Sequence, residues 1–153
     1  MNNKNNPMPE IQLLAPEGWR EYQLLDSGEG KTLERFEPYT LIRPEPQAIW
    51  KRSLPQNKKK KAHASMQEEQ KEYGGSWQLM QPINKSWEMH YRSLSFQVQL
   101  GSSRHIGVFP EQASHWDWIT EQIKAAGRPL RVLNLFGYSG LATLAAANAG
   151  AEV

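Results

Sequence analysis

The residues best placed to do chemistry lie in NLFGYSG, residues 134–140, between an apolar run and an alanine-rich stretch. Gly137 and Gly140 let the backbone turn sharply, and with Ser139 they leave room for a ligand to approach the chain. A helix opening at such a turn presents free N–H groups and the positive end of its dipole, which suit an anionic or polar ligand head. No Gly-Lys-Ser/Thr follows, so the lysine that a P-loop sets against phosphates is missing. Ser139 also stands where a dinucleotide-binding turn has its middle glycine, which disfavours a nicotinamide-dependent oxidoreductase. The alternative is a tight strand-to-helix turn whose glycines serve geometry only. Asn134 places an amide near the end of the apolar run, where it can hold the loop backbone or a ligand group.

A second constellation is RHIGVFPEQASHW, residues 104–116, with two histidines, an arginine, a glutamate and a glutamine close together. His115 and Glu111 are four apart and share a face if the segment is helical. A metal site would need His105 to converge on them as a matched third ligand, and the spacing does not supply one, so no metal is assigned.

Several elements must position these groups. Leu130, Val132, Leu133, Leu135 and Phe136 form a nearly continuous apolar run, the pattern of a parallel strand covered on both faces. Residues 141–148 are dominated by alanine, the best helix former, and Gly150 suits a helix C-terminus. Ala151, Glu152 and Val153 read as the start of a second strand. Upstream, Pro110 fits a first helical turn and Glu111 its positive end. Ala113, Trp116, Ile119, Thr120 and Ile123 keep helical spacing until Gly127 and Pro129 end the run. Alternation across residues 87–100, broken at Arg92 and Ser93, predicts a hairpin. Residues 22–25 and 32–36 flank the turn formers 26–30 as another hairpin, and residues 39–42 resume after Pro38 before Pro44 and Pro46 stop the run. Residues 1–9 are polar and read as frayed. Residues 51–76 hold the lysine run 58–61 and few large apolar groups, and read as a mobile, solvated loop.

The whole chain has 153 residues, a formal net charge of +2 and six tryptophans, a balance that compels no polyanionic partner. Cysteine is absent, which excludes disulfides, thiolate metal sites and a cysteine nucleophile within this chain. The first ten residues lack a hydrophobic signal core, and the alanine-rich stretch is far shorter than the ~20 residues of a membrane helix. The expectation is a cytoplasmic protein that makes no use of a membrane.

Taken together, the hairpin, RHIGVFPEQASHWDW and VLNLFGYSGLATLAAANAGAEV resemble the class I S-adenosylmethionine-dependent methyltransferases of the ribosomal-RNA cytosine-C5 type and their bacterial relatives. The family segment G-[VLY]-F-x-[DE]-Q is matched by Gly107, Val108, Phe109, Pro110, Glu111 and Gln112. Its first cofactor motif, [DN]-x-F-x-Y-[ST]-G, is matched by Asn134, Phe136, Tyr138, Ser139 and Gly140. Residues 24–50 are also similar to the small β-rich N-terminal domain of those relatives.

The resemblance implies an α/β protein: a β-rich N-terminal domain over residues 1–100, then the truncated start of a Rossmann-like methyltransferase domain over 101–153. It implies that Phe136, Gly137, Tyr138, Ser139 and Gly140 line the methionine end of S-adenosylmethionine, with Asn134 bracing the loop. Gln112 and neighbouring residues of the FPEQ segment, Phe109 among them, would close over that pocket. The expected substrate is RNA. The acidic residue for the cofactor ribose, the later strands and the catalytic residues are expected beyond Val153. The cysteine of covalent C5 attack and an Asn/Asp-Pro-Pro-aromatic motif are both absent from this chain. A reading of another class is a non-catalytic nucleic-acid-binding module using the N-terminal region and Lys58–Lys61, or an inactive fragment. Its phosphate contacts would weaken steeply with salt.

Overall fold

A computed structural model describes residues 13–55, 61–68 and 75–153, so the stretch 1–9 and three of the four lysines of the run lie outside the described residues. The fold is mixed α/β with a sheet-rich N-terminal region. Five strands, β1 (Tyr22–Gly28), β2 (Lys31–Phe36), β3 (Tyr39–Pro44), β4 (Ala64–Glu68) and β5 (Gly75–Leu79), form one sheet in sequential order. The β3–β4 pairing is parallel and the other three are antiparallel. The hairpin expected around the turn formers 26–30 is present, with a register shift between Leu24 and Asp26, and β2 and β3 form a further hairpin that turns at Pro38.

Strand β4 corrects the reading of residues 51–76 as one loop. Its residues pair on both sides, with β3 and with β5, and Ala64 and Met66 are buried. Ala62 is buried too, so three modest apolar groups do the work of larger ones. Average composition hid this, because small side chains fill a tight interior as well as bulky ones do.

The second hairpin joins β6 (Ser86–Tyr91) to β7 (Leu94–Gln99), with Arg92 at φ 50° in the turn. Trp87, Met89 and Tyr91 face the interior from β6, and Leu94 and Val98 do so from β7. These residues join Phe36 and Leu41 of the five-stranded sheet, Ile106, Val108 and Trp116, and Leu141 and Ala145 in one buried cluster. The core therefore runs without a break across position 100. The half-buried Trp19 packs against it, with ring centroids 4.8 Å from Tyr91 and 6.1 Å from Trp116.

The helix expected from Pro110 begins as a 3-10 turn, Pro110–Gln112, and continues as α1 (Ala113–Ala125). Ala113, Trp116 and Ile123 are its buried residues, as the spacing requires. Helix α2 (Leu141–Asn148) follows the NLFGYSG turn, and Gly150 has φ 100° just beyond it. The hairpin turn ties both helices down. Tyr91 Oη and Arg92 Nη2 donate to Asp117 Oδ2 at 2.6 and 2.8 Å, and Asn148 Nδ2 donates to Ser93 Oγ at 2.6 Å.

The expected buried strand at residues 130–136 is the main departure. Its β pairing among the described residues is a single parallel bridge, Arg131 to Glu152. Leu133, Leu135 and Phe136 are 82%, 75% and 90% exposed. The apolar pattern calls for cover on both faces, and the described residues put α2 against one side only. In this chain, backbone amides of residues 133–135 are expected to exchange hydrogen far faster than those of β2, because local protection follows burial and pairing. Equal protection in a mass-spectrometric exchange series would contradict this.

One buried ionic network ties the sheet to the rest. Arg43 Nε and Nη2 donate to Glu34 Oε2 and Oε1, each at 2.7 Å, and Thr32 Oγ1 and Tyr22 Oη donate to the same carboxylate. Burial pushes the Tyr22 hydroxyl well above its usual range, with the Glu34 charge adding to the effect. Arg43 Nη1 also donates to the Arg104 carbonyl at 3.3 Å, and Arg104 Nη1 donates back to the Pro44 carbonyl at 2.9 Å. This reciprocal pair fixes the segment that carries His105 to Phe109.

Candidate functional site

The two constellations, about 25 residues apart in sequence, line one cleft of about 760 Å³. From residues 104–116 come Phe109, Glu111, Gln112 and Trp116. From residues 134–140 come Leu135, Phe136, Gly137, Tyr138 and Ser139, and the start of α2 adds Leu141 and Ala142. The size falls within the ~300–1,000 Å³ of ordinary small-molecule sites.

Each wall has a local cause. Phe109 leads into the 3-10 turn, where Pro110 is buried and anchors the turn to the core. The Phe109 ring lies with its centroid 4.5 Å from that of Tyr138 in a tilted contact, which joins the two walls, and 4.8 Å from that of His105 edge to face. Gln112 Oε1 lies 2.8 Å from His115 Nδ1, so the histidine one turn along steadies the amide. The His105 ring is held below its ordinary titration range by burial, with the charges of Arg104 and Arg43 adding to the effect. Trp116 is buried between the cleft and the Trp19 and Tyr91 rings.

The opposite wall is shaped by backbone. Tyr138 adopts φ 45° and Gly140 φ 87°, and the Gly140 N–H donates to the Gly137 carbonyl at 2.6 Å. Such a turn needs glycine at its second left-handed position, because a Cβ there crowds the carbonyl that follows. Asn134 braces the loop from both ends: its Oδ1 accepts from the Phe136 N–H at 3.1 Å, and its Nδ2 donates to Thr143 Oγ1 at 2.9 Å. No side chain caps the start of α2. Its first-turn N–H groups have no intrahelical partner and open beside the cleft.

Of the eight residues expected at a cofactor site, Phe109, Gln112, Phe136, Gly137, Tyr138 and Ser139 line the cleft. Asn134 and Gly140 stand behind it and set the loop's shape. Glu111, a neighbour of Gln112 in the FPEQ segment, lines the cleft too, whereas motif reading missed Trp116, Leu135, Leu141 and Ala142 as lining residues. Trp116 follows Gln112 by four positions, so helical spacing from Gln112 would have found it. His105, His115 and Glu111 do not assemble a metal centre: among the described residues no group of three or more His, Asp or Glu is placed to hold a metal. No described helix is long and apolar enough to cross a membrane.

This arrangement, a βα turn opening onto a helix start with an aromatic segment folded over it, is that of a small-molecule site in an α/β protein. The chain is similar to the solved structure of a SAM-dependent methyltransferase from Agrobacterium tumefaciens, with a TM-score of 0.86 and 38% identity. The match covers 96% of this chain and 46% of that one, so the chain spans about half the length of that methyltransferase. No family model and no curated protein matches the chain.

Proposed function

We propose that the cleft holds the methionine end of S-adenosylmethionine and that the protein to which this chain belongs transfers the donor's methyl group to RNA. The observation that carries this reading is the meeting of Phe109 and Gln112 with Phe136, Gly137, Tyr138 and Ser139 around one cleft. The likeness to a methyltransferase at 38% identity over nearly the whole chain supports it. RNA, ribosomal RNA in particular, follows from the resemblance of the two motifs.

The residues fit the group. A carboxylate suits the uncapped N–H groups at the start of α2, and Gly137 and Ser139 leave room for it. Gln112, steadied by His115, offers an amide across the cleft. When bound, the donor supplies a methyl group already activated on a sulfonium. The chain's contribution is to hold that donor in one orientation, since displacement at carbon gains most from alignment.

Titrating the 15N-labelled chain with S-adenosylmethionine is expected to shift the amides of Phe109, Gln112 and residues 136–140. NAD at the same concentration is expected to leave them in place. Shifts confined to the five-stranded sheet, or equal shifts with NAD, would refute the assignment.

A further inference from the structure

We infer that Glu111 supplies the counter-charge for a cationic group of the bound ligand, making it a specificity-determining residue of the cleft; this rests on the donor-site reading above. Among the described residues that line the cleft, Glu111 is the one charged side chain, and no lysine, arginine or histidine is among them. The rest of the wall includes four aromatic rings, Phe109, Trp116, Phe136 and Tyr138. A carboxylate with several ring faces is the composition that attracts a cation, since ring faces carry partial negative charge. A phosphate-bearing ligand would meet that carboxylate with no cation to offset it.

Glu111 is also free to act. It is exposed, and it forms no ion pair among the described residues. The nearby Arg43 is already neutralised by the bidentate Glu34. The cleft thus has two poles: amide N–H groups at the start of α2 for the ligand's carboxylate, and Glu111 among the rings for its positive charge. S-Adenosylmethionine carries two cationic groups, an α-ammonium and a sulfonium. Its product, S-adenosylhomocysteine, keeps the first and loses the second.

The test measures dissociation constants for both compounds by NMR titration of the wild type, Glu111→Gln, Glu111→Asp and Glu121→Gln, the last altering the outer face of α1. Glu111→Gln is expected to weaken S-adenosylmethionine about five- to tenfold at low salt, as for a partly exposed ion pair. Glu111→Asp is expected to recover part of the loss and Glu121→Gln to change nothing. In 0.5 M salt the difference should shrink, because screening removes it. Weakening of the donor alone assigns the sulfonium, and equal weakening of donor and product assigns the ammonium; both support the inference. Wild-type binding with unchanged constants in Glu111→Gln overturns the inference and leaves the donor site standing. Wild-type chain that binds neither compound overturns the donor site and the inference together.

Discussion

Replacing Arg43 by alanine is expected to lower stability by about 3–5 kcal/mol, because it leaves the Glu34 carboxylate buried without its partner. For a domain of this size that is a fall in Tm of roughly 6–20 °C. The pair is bidentate and almost wholly enclosed, with side-chain exposures of 12% and 4%, so solvent does little to screen it. The same change frees the Arg104 carbonyl and loosens the segment that ends in Phe109. Thermal unfolding followed by circular dichroism measures the first effect. A fall of less than about 2 °C would show that the network adds little.

The pH dependence of this variant has a definite sign. In the wild type, burial works to raise the Glu34 carboxyl, but the Arg43 hydrogen bonds and charge, with the Thr32 and Tyr22 hydroxyls, outweigh it and hold it below the usual carboxylate range. A carboxyl that titrates lower folded than unfolded stabilises the fold above its unfolded pKa. That contribution is lost as pH falls through the folded value. In Arg43→Ala burial acts unopposed by the guanidinium, so the carboxyl is raised and the variant gains relative stability on acidification. The stability gap between the two proteins should therefore narrow from neutral pH towards pH 3. A gap independent of pH would contradict the assignment.

Gly137→Val is expected to abolish saturable donor binding while leaving Tm within about 2 °C of wild type. Gly137 lines the cleft, its φ lies outside the left-handed region, and a Cβ built there meets no atom within 4 Å. The added side chain enters the cleft rather than the core. Gly140→Val provides the contrast. At φ 87° a β-branched residue is strained whatever the space around it, at about 1–2 kcal/mol or more. That variant should lose stability and binding together. NMR titration and thermal unfolding on both variants separate the two cases, and undiminished binding in Gly137→Val would place the donor elsewhere.

Local patterns carried most of the elements. Alternation at Trp87, Met89 and Tyr91 against Leu94 and Val98 marked the hairpin, because a pleated strand turns alternate side chains to opposite faces. The spacing of Ala113, Trp116 and Ile123 marked α1, and residues 141–148 marked α2, since each helix is governed by neighbours three or four positions away. The NLFGYSG turn was readable for the same reason: its glycines and Asn134 act within ten residues, and the Asn134 hydrogen bonds reach only to Phe136 and Thr143.

Long-range meetings were a different matter. No local rule joins β4 to β3, because that parallel pairing spans more than twenty residues and rests on small buried groups such as Ala64. The apolar run at 130–136 promised a covered strand, but cover is a property of neighbours, and the described residues leave Leu133, Leu135 and Phe136 exposed. The cleft itself belongs to this second kind. The resemblance of the two motifs implied that the FPEQ segment, with Phe109 and Gln112, would close over the turn at Phe136 to Gly140, but it set no geometry for that meeting. Only packing of the Phe109 ring on Tyr138, with Trp116 held by Trp19 and Tyr91, put Glu111 and the aromatic faces around one space. Chain chemistry sets which groups are available and how each turn bends; contacts between distant segments set which of them face one another.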